Sequence, residues 1–254
     1  MSKKIIIGNW KMNPLTSKEA EKLFSGVMKG ITGIKKTEVV VCSPFIYIEK
    51  LKKISRKIFL GAQDAFWGEV GAFTGEISGE MLSTLGVKYV ILGHSERRGL
   101  GESNSDVNKK IKAVLTAGLV PVLCVGENTR DESHAYFNFV KTQIEECLAG
   151  VSKNSISKII IAYEPVWAIS STAERKDATP GDCLEMAIFI RKTLSDKFGP
   201  DAGRTRIIYG GSANEKDARD FLQNGGIDGL LPGRASLDAK KFVEIVKTCE
   251  ALNK

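Results

Sequence analysis

The sequence predicts a single-domain (β/α)8 barrel. Eight short apolar runs rich in β-branched residues alternate with stretches of helical periodicity, and eight such units in 254 residues come to roughly 32 each, close to a minimal strand–helix pair in a barrel of about 250 residues. A doubly wound sheet is the main alternative. It would usually carry a G-x-G-x-x-G phosphate loop after the first strand, where this chain reads Gly8-Asn9-Trp10-Lys11. No linker or shift in composition divides residues 1–254, so one domain is expected.

The first run, residues 5–7, is short and β-branched, as suits a strand buried on both faces, and it ends at Gly8 and Asn9. Thr16 with Glu19 then makes a capping box. Ala20, Leu23, Phe24, Val27, Met28 and Ile31 follow on one face at helical spacing, with Gly33 as the expected stop. Further strands are expected at residues 39–42, 58–62, 89–93, 120–125, 159–163, 206–209 and 229–231. Helix starts are signalled by Ser105 before Asp106, Thr179 before Pro180, and Asn214 with Asp217, and stops by Gly118 and Gly199. The helix over residues 180–198 is expected to be the longest.

Composition is that of an ordinary globular chain: 43% hydrophobic, 26% charged and 7% aromatic residues argue against disorder, collagen and coiled coil. The net charge of +7 raises nucleic acid as a partner, but the excess is local. Residues 1–60 hold 13 basic and 4 acidic side chains, largely lysines at helical spacing such as Lys18, Lys22 and Lys29, with no interleaved aromatic platform for bases. A solvated helix face is the simpler reading, and no nucleic-acid partner is expected. Cys42, Cys124, Cys147, Cys183 and Cys249 are odd in number and widely spaced, without a CxxC pair, so neither a disulfide framework nor a zinc site is indicated. The apolar run near the N-terminus is too short for a signal peptide, and no later run approaches the roughly 20 residues that span a bilayer. A soluble, cytoplasmic protein is expected, with no membrane partner.

In such barrels the loops after the strands build the site. The first strand ends in Asn9 and Lys11, the fourth in His94, Ser95 and Glu96, the fifth in Cys124 and Glu127, and the sixth in Glu164. The seventh and eighth end in Gly210, Gly211 and Ser212 and in Gly233 and Arg234. These last two loops are rich in small residues and each is expected to run into a helix, offering backbone N–H groups and a positive dipole end to a phosphate. Lys11 supplies a point charge, Glu164 a candidate base and His94 a hydrogen-bond donor, a set that could deprotonate a small anionic carbonyl compound beside its carbonyl without a metal or cofactor. Each also has a plain structural reading: a solvated lysine, a glutamate capping a turn before Pro165, a satisfied core histidine.

The spelling around these residues resolves the choice. Asn9-Trp10-Lys11-Met12-Asn13, Gly93-His94-Ser95-Glu96-Arg97-Arg98, Ala162-Tyr163-Glu164-Pro165-Val166-Trp167-Ala168, Tyr209-Gly210-Gly211-Ser212 and Gly71-Ala72-Phe73-Thr74-Gly75-Glu76-Ile77-Ser78 closely resemble the triosephosphate isomerase family, in that family's order, from residue 5 to about residue 246. The resemblance implies a TIM barrel that interconverts dihydroxyacetone phosphate and D-glyceraldehyde 3-phosphate through an enediol, in glycolysis and gluconeogenesis. It implies Glu164 as the base, and His94 as the electrophile, a neutral imidazole at a helix N-terminus in what is a standard worked case for this family. It further implies Lys11 as the stabilising cation, Asn9 as a substrate contact, and Ser170, Ser212, Gly233 and Arg234 around the phosphate. Glu96 would help order Lys11, and Cys124 would be a packing residue whose buried thiol is inert. Residues 71–78, with Thr74 near the tip, resemble the loop that enters a partner subunit, which implies a homodimer.

Two segments depart from the family's usual pattern. The lid after the sixth strand, residues 170–179, is three residues longer and lacks glycine, although the front hinge, residues 165–167, is kept. Hinge residues need not be glycine, so closure is still expected, with Ser170 binding phosphate through its N–H. The eighth loop reads Gly233-Arg234 in place of Gly-Gly; the backbone donor survives at Arg234, and the guanidinium is expected to point outward. Competing functions fare worse. A Schiff-base aldolase requires a desolvated lysine on a barrel strand, where the sixth strand carries Glu164. A non-catalytic phosphosugar-binding or surface-interaction protein would have no physical need of Lys11, His94 and Glu164 together.

Overall fold

The computed structural model describes residues 3–130, 132–169 and 177–253. Eight parallel strands close into a barrel in sequence order: β1 (Ile5–Asn9), β2 (Glu38–Cys42), β3 (Phe59–Ala62), β4 (Val87–Leu92), β5 (Val120–Val125), β6 (Ile160–Tyr163), β7 (Arg206–Tyr209) and β8 (Gly229–Leu230). Between and after them run α1 (Ser17–Gly30), α2 (Phe45–Ile54), α3 (Gly79–Thr84), α4 (Ser95–Gly99), α5 (Asn104–Thr116), α6 (Ala135–Cys147), α7 (Lys153–Ile156), α8 (Pro180–Phe198), α9 (Ala218–Asn224) and α10 (Ala239–Leu252). All eight expected strands are present. β8 closes the ring on β1 through Ile5 opposite Gly229 and Ile6 opposite Leu230.

Alternation along each strand splits the apolar side chains into two layers, because successive residues face opposite sides of a sheet. Ile5, Ile7, Val40, Tyr89, Ile91, Val122, Cys124, Ile160 and Ile208 fill the barrel interior. Ile6, Val39, Val41, Val90, Leu123, Ile161 and Ile207 face outward and pack beneath the helices. This two-sided burial is why the strands read as continuous apolar runs. Helix α1 packs between α10 and α2 and buries Ala20, Phe24 and Val27, and a fully buried Phe such as Phe24 contributes roughly 1.5–3 kcal/mol.

The helix signals are mostly where the sequence puts them. The Thr16–Glu19 capping box opens α1, Thr179 with Asp182 makes another ahead of Pro180, and α8 is a 19-residue helix ended by Gly199 at φ +100°. Asn214 donates twice to the Asp217 carboxylate, from its backbone N–H at 2.7 Å and its side-chain amide at 2.6 Å, in the turn that leads into α9. Gly118, at φ +75°, follows the end of α5. Two expectations need correction. The cap of α5 is Ser103, not Ser105: Ser103 is the residue three before Asp106, so its hydroxyl reaches the Asp106 N–H at 3.1 Å while Asp106 returns a bond to the Ser103 N–H. Helix α1 stops at Gly30 and Ile31, ahead of Gly33, where Gly30 meets α10 so closely that a Cβ would lie 2.5 Å from Val243.

Among the described residues no helix is long and apolar enough to cross a membrane. The Ser103 cap yields the first prediction. Replacing Ser103 by Ala should lower stability by about 1 kcal/mol, and replacing Ser105 by Ala should change it by less than about 0.5 kcal/mol, as read by urea unfolding. Equal losses in the two variants would contradict the assignment.

Candidate active site

The mouth of the barrel at the C-terminal ends of the strands gathers the polar residues. Strand β1 ends in Asn9, and Lys11 follows with φ +52°, a left-handed conformation uncommon for a residue with a side chain. That strain is held from two sides. The Asn9 side chain accepts from the Lys11 N–H at 2.9 Å, and Gln63, from the end of β3, donates to the Lys11 carbonyl at 2.8 Å. The ammonium so directed meets Glu96 Oε1 at 2.5 Å, and its stem runs beside Gly233, where a Cβ would lie 3.3 Å from Lys11 Cε.

His94 follows β4 and precedes α4. Its Nδ1 accepts from the Glu96 N–H at 3.1 Å, which places the ring proton on Nε2 and leaves a neutral donor pointing into the site. Glu164, directly after β6, is 2% exposed. Its Oε2 accepts from the Ser95 N–H at 3.2 Å, and its Oε1 lies 3.3 Å from His94 Nε2 with no hydrogen bond formed. Glycine is required opposite: a Cβ on Gly210 would fall 2.7 Å from Glu164 Cγ.

A cavity of about 360 Å³ lies between the ends of β1, β7 and β8, bounded by Asn9, Lys11, His94, Gly211, Ser212, Gly233 and Arg234. A larger one, about 760 Å³, lies between α5 and α6 and reaches Cys124 and Glu164 from the other side. The smaller cavity is the one into which Lys11 and His94 both open, so it is the chemically furnished one. Glu164 is seated between the two.

The expected phosphate loops are only partly as anticipated. The loop after β8 enters a 3-10 helix at Arg234–Leu237, not an α-helix, and the loop after β7 reaches α9 only through the Asn214–Asp217 turn. What these loops present to the cavity is therefore small-residue backbone more than the end of a long helix. The Ser212 hydroxyl is spent on the Ala168 carbonyl at 2.9 Å, leaving its backbone to face the cavity, and the Arg234 side chain is exposed at the rim. Ser170 and most of the lid, residues 170–176, lie outside the described residues. Thr74 is exposed near the tip of its loop and is not among the residues that line the cavity.

Three supporting residues escaped the sequence reading. Gln63 reaches Lys11 across 52 positions of chain, a contact with no local pattern to betray it. Arg98 donates to the Gly93 carbonyl at 2.7 Å and so fixes the end of β4. Arg130 bonds Glu127, which in turn accepts from the Trp167 indole at 2.9 Å. Glu127, noted only as a strand-end carboxylate, is thus a structural anchor for the segment after Glu164.

The comparisons with known proteins point to one family. The family model described as triosephosphate isomerase matches residues 4–249. Relatives named triosephosphate isomerase include that of Moorella thermoacetica, 43% identical over 97% of this chain and 98% of the relative, and that of Dehalococcoides mccartyi, 45% identical over 98% of each. The crystal structure of triosephosphate isomerase from Bartonella henselae superposes with a TM-score of 0.84 at 33% identity, covering 97% of this chain and 98% of the other.

All five cysteines are buried, and burial pushes their thiols up, Cys249 to about 11 and Cys183 to about 12. Cys124 is raised well above the usual range by burial first and by the Glu164 charge second. Because the thiolate is the reactive form, alkylation at pH 8 should leave the folded protein unmodified and label all five thiols after denaturation. Rapid labelling of Cys124 in the folded state would contradict the packing role.

Proposed function

Because the chain belongs to the triosephosphate isomerase family, whose reaction interconverts dihydroxyacetone phosphate and D-glyceraldehyde 3-phosphate, we propose that Glu164, His94 and Lys11 carry that reaction here. The observation that carries the reading is the placement of a buried carboxylate 3.3 Å from an imidazole Nε2 whose tautomer is fixed as a donor, beside a cavity that also receives Lys11. The substrate phosphate sits along the backbone of Gly211, Ser212, Gly233 and Arg234, with Asn9 contacting the triose. Arg234 contributes through its backbone, and its guanidinium stays at the rim. Ser170 is proposed to add its N–H to the phosphate.

In that pose Glu164 takes a proton from C1 of dihydroxyacetone phosphate while the His94 N–H donates to the oxygen on C2, giving the enediol. Return of the proton from Glu164 to C2, with the proton on the C1 oxygen passing to the His94 Nε2 that gave one up, gives the aldehyde and restores both side chains. Lys11 opposes the negative charge that builds on the bound substrate, which matters most in a site that water leaves. Glu96 holds the Lys11 ammonium, and Cys124 packs beneath. The chemistry asks only for proton transfers, which this chain's own side chains supply.

The chain also forms a homodimer on this reading. Residues 71–78 make a projecting loop closed at its base by the Phe66 N–H to Ile77 carbonyl bond of 2.8 Å and braced by Phe73 packed on Phe66. Around the same mouth Met12, Leu15, Ile46, Val70 and Leu100 are each at least 80% exposed, an apolar surface fitted to a second copy. A cytoplasmic location fits a chain whose thiols are all buried and free.

Two measurements test these readings. Glu164→Asp should lower kcat on the order of 100-fold with KM little changed, since shortening the base misplaces the carboxylate while the phosphate loops stay intact. An unchanged kcat would remove Glu164 from its role. Sedimentation should give a mass near twice 27.7 kDa, and Thr74→Arg should drive the chain to monomers. A monomeric wild-type chain would end the dimer assignment.

A further inference from the structure

Arg130, on the outer side of the site, engages every N–H it has. Its Nε donates to Glu127 Oε1 at 2.9 Å; Nη1 donates to Asp182 Oδ1 at 2.9 Å and Glu185 Oε2 at 3.0 Å; Nη2 donates to the Tyr163 hydroxyl at 3.1 Å and the Asp182 carbonyl at 3.3 Å. The planar fork thus spans three elements: the loop after β5, the end of β6 and the first turn of α8. Lysine, with one nitrogen, could not make that span.

What the fork holds is Glu127, which is 1% exposed. One of its oxygens receives Arg130, the Tyr163 hydroxyl at 2.8 Å and the Trp167 indole N–H at 2.9 Å, and its backbone carbonyl receives the Val166 N–H at 2.9 Å. Tyr163 immediately precedes Glu164 and Trp167 stands three residues after it, so the Glu127 carboxylate grips the chain on both sides of the proposed base. A buried carboxylate stays in place only when a cation and good donors compensate it. Arg130 is that cation, and its bonds to Asp182 tie the assembly to a helix whose own cap, Thr179, is held by the other Asp182 oxygen at 2.7 Å.

We infer that Arg130 is a positioning residue for Glu164, acting through Glu127 to hold both flanks of the base against the first turn of α8. The inference rests on the reading of Glu164 as the base. Loss of the guanidinium frees Glu127 to turn toward water, which releases Tyr163 and Trp167 and lets the intervening carboxylate drift. The loop after β7 meets this cluster through the Gly210 N–H, which donates to the Tyr163 carbonyl at 2.8 Å, but none of the side-chain partners of Arg130 and Glu127 named above lies in the loops after β7 and β8, so the damage falls chiefly on the chemical step.

The test compares Arg130→Met, Arg130→Lys and Glu164→Gln in full kinetics with glyceraldehyde 3-phosphate, with folding checked by circular dichroism. Arg130→Met should lower kcat about tenfold or more with KM within about twofold, because a displacement of the order of 1 Å at the base is costly while phosphate binding persists. Arg130→Lys, which restores the charge beside Glu127 but not the fork, should recover part of kcat. Should the Met variant fail to fold, Arg130→Gln reads the same split. A folded Arg130→Met with full kcat, or one in which KM rises as much as kcat falls, or a Lys variant no better than Met, overturns the inference. With Glu164→Gln inactive, such results count against Arg130 alone; an active Glu164→Gln would sink the base reading and this inference together.

Discussion

The closure of the barrel between β1 and β8 is the constraint on which the site depends. It is made over two residue pairs only, and it demands glycine: a Cβ on Gly229 would lie 1.9 Å from the Ile5 carbonyl oxygen. Because the strands meet there, the residues beyond them meet as well. The Asn9 N–H donates to the Pro232 carbonyl at 3.0 Å, the Ser236 hydroxyl to the Asn9 carbonyl at 3.2 Å, and Lys11 passes beside Gly233. The first and last strands, more than 200 residues apart in the chain, thereby share one wall of the cavity.

On that frame the site is built from groups held in tension. Lys11 occupies a strained backbone conformation that Asn9 and Gln63 fix from either side. Glu164 is buried between two cavities, its Oε2 on the Ser95 N–H and its Oε1 near His94 without a hydrogen bond. An unpartnered buried carboxylate oxygen is costly, and a 3.3 Å separation from His94 leaves no room for a carbon chain between them. On the proposed mechanism the carboxylate therefore turns away from Ser95 and His94 when the triose enters, exchanging a poor environment for the substrate.

The strands were legible because two-sided burial writes itself as short β-branched runs, and α1 and α8 were legible because their capping boxes and Pro180 are local signals. The misplaced cap of α5 shows the limit of such signals. Ser103 and Ser105 both precede Asp106, and only the three-residue spacing permits the reciprocal bonds. Glu164, His94 and Lys11 stood out through the family's spelling, not through periodicity, since a lone glutamate before proline or a lone histidine carries no pattern. Gln63 and Arg130 were invisible for a different reason: each acts by reaching elements brought near only by the closed ring, as Arg130 does across 52 positions to Asp182, while the bond from Arg98 back to the Gly93 carbonyl follows no capping or periodic pattern.

The central claim is that substrate separates Glu164 from His94 and places the carboxylate beside C1 and C2. A crystal structure of the Glu164→Gln variant with dihydroxyacetone phosphate tests it directly. The account predicts the phosphate along Gly211, Ser212 and Gly233, the C2 oxygen on His94 Nε2, and the residue-164 side chain off the Ser95 N–H and against the C1–C2 edge. A triose bound there with residue 164 still on Ser95, or a phosphate seated in the cavity between α5 and α6, would contradict it.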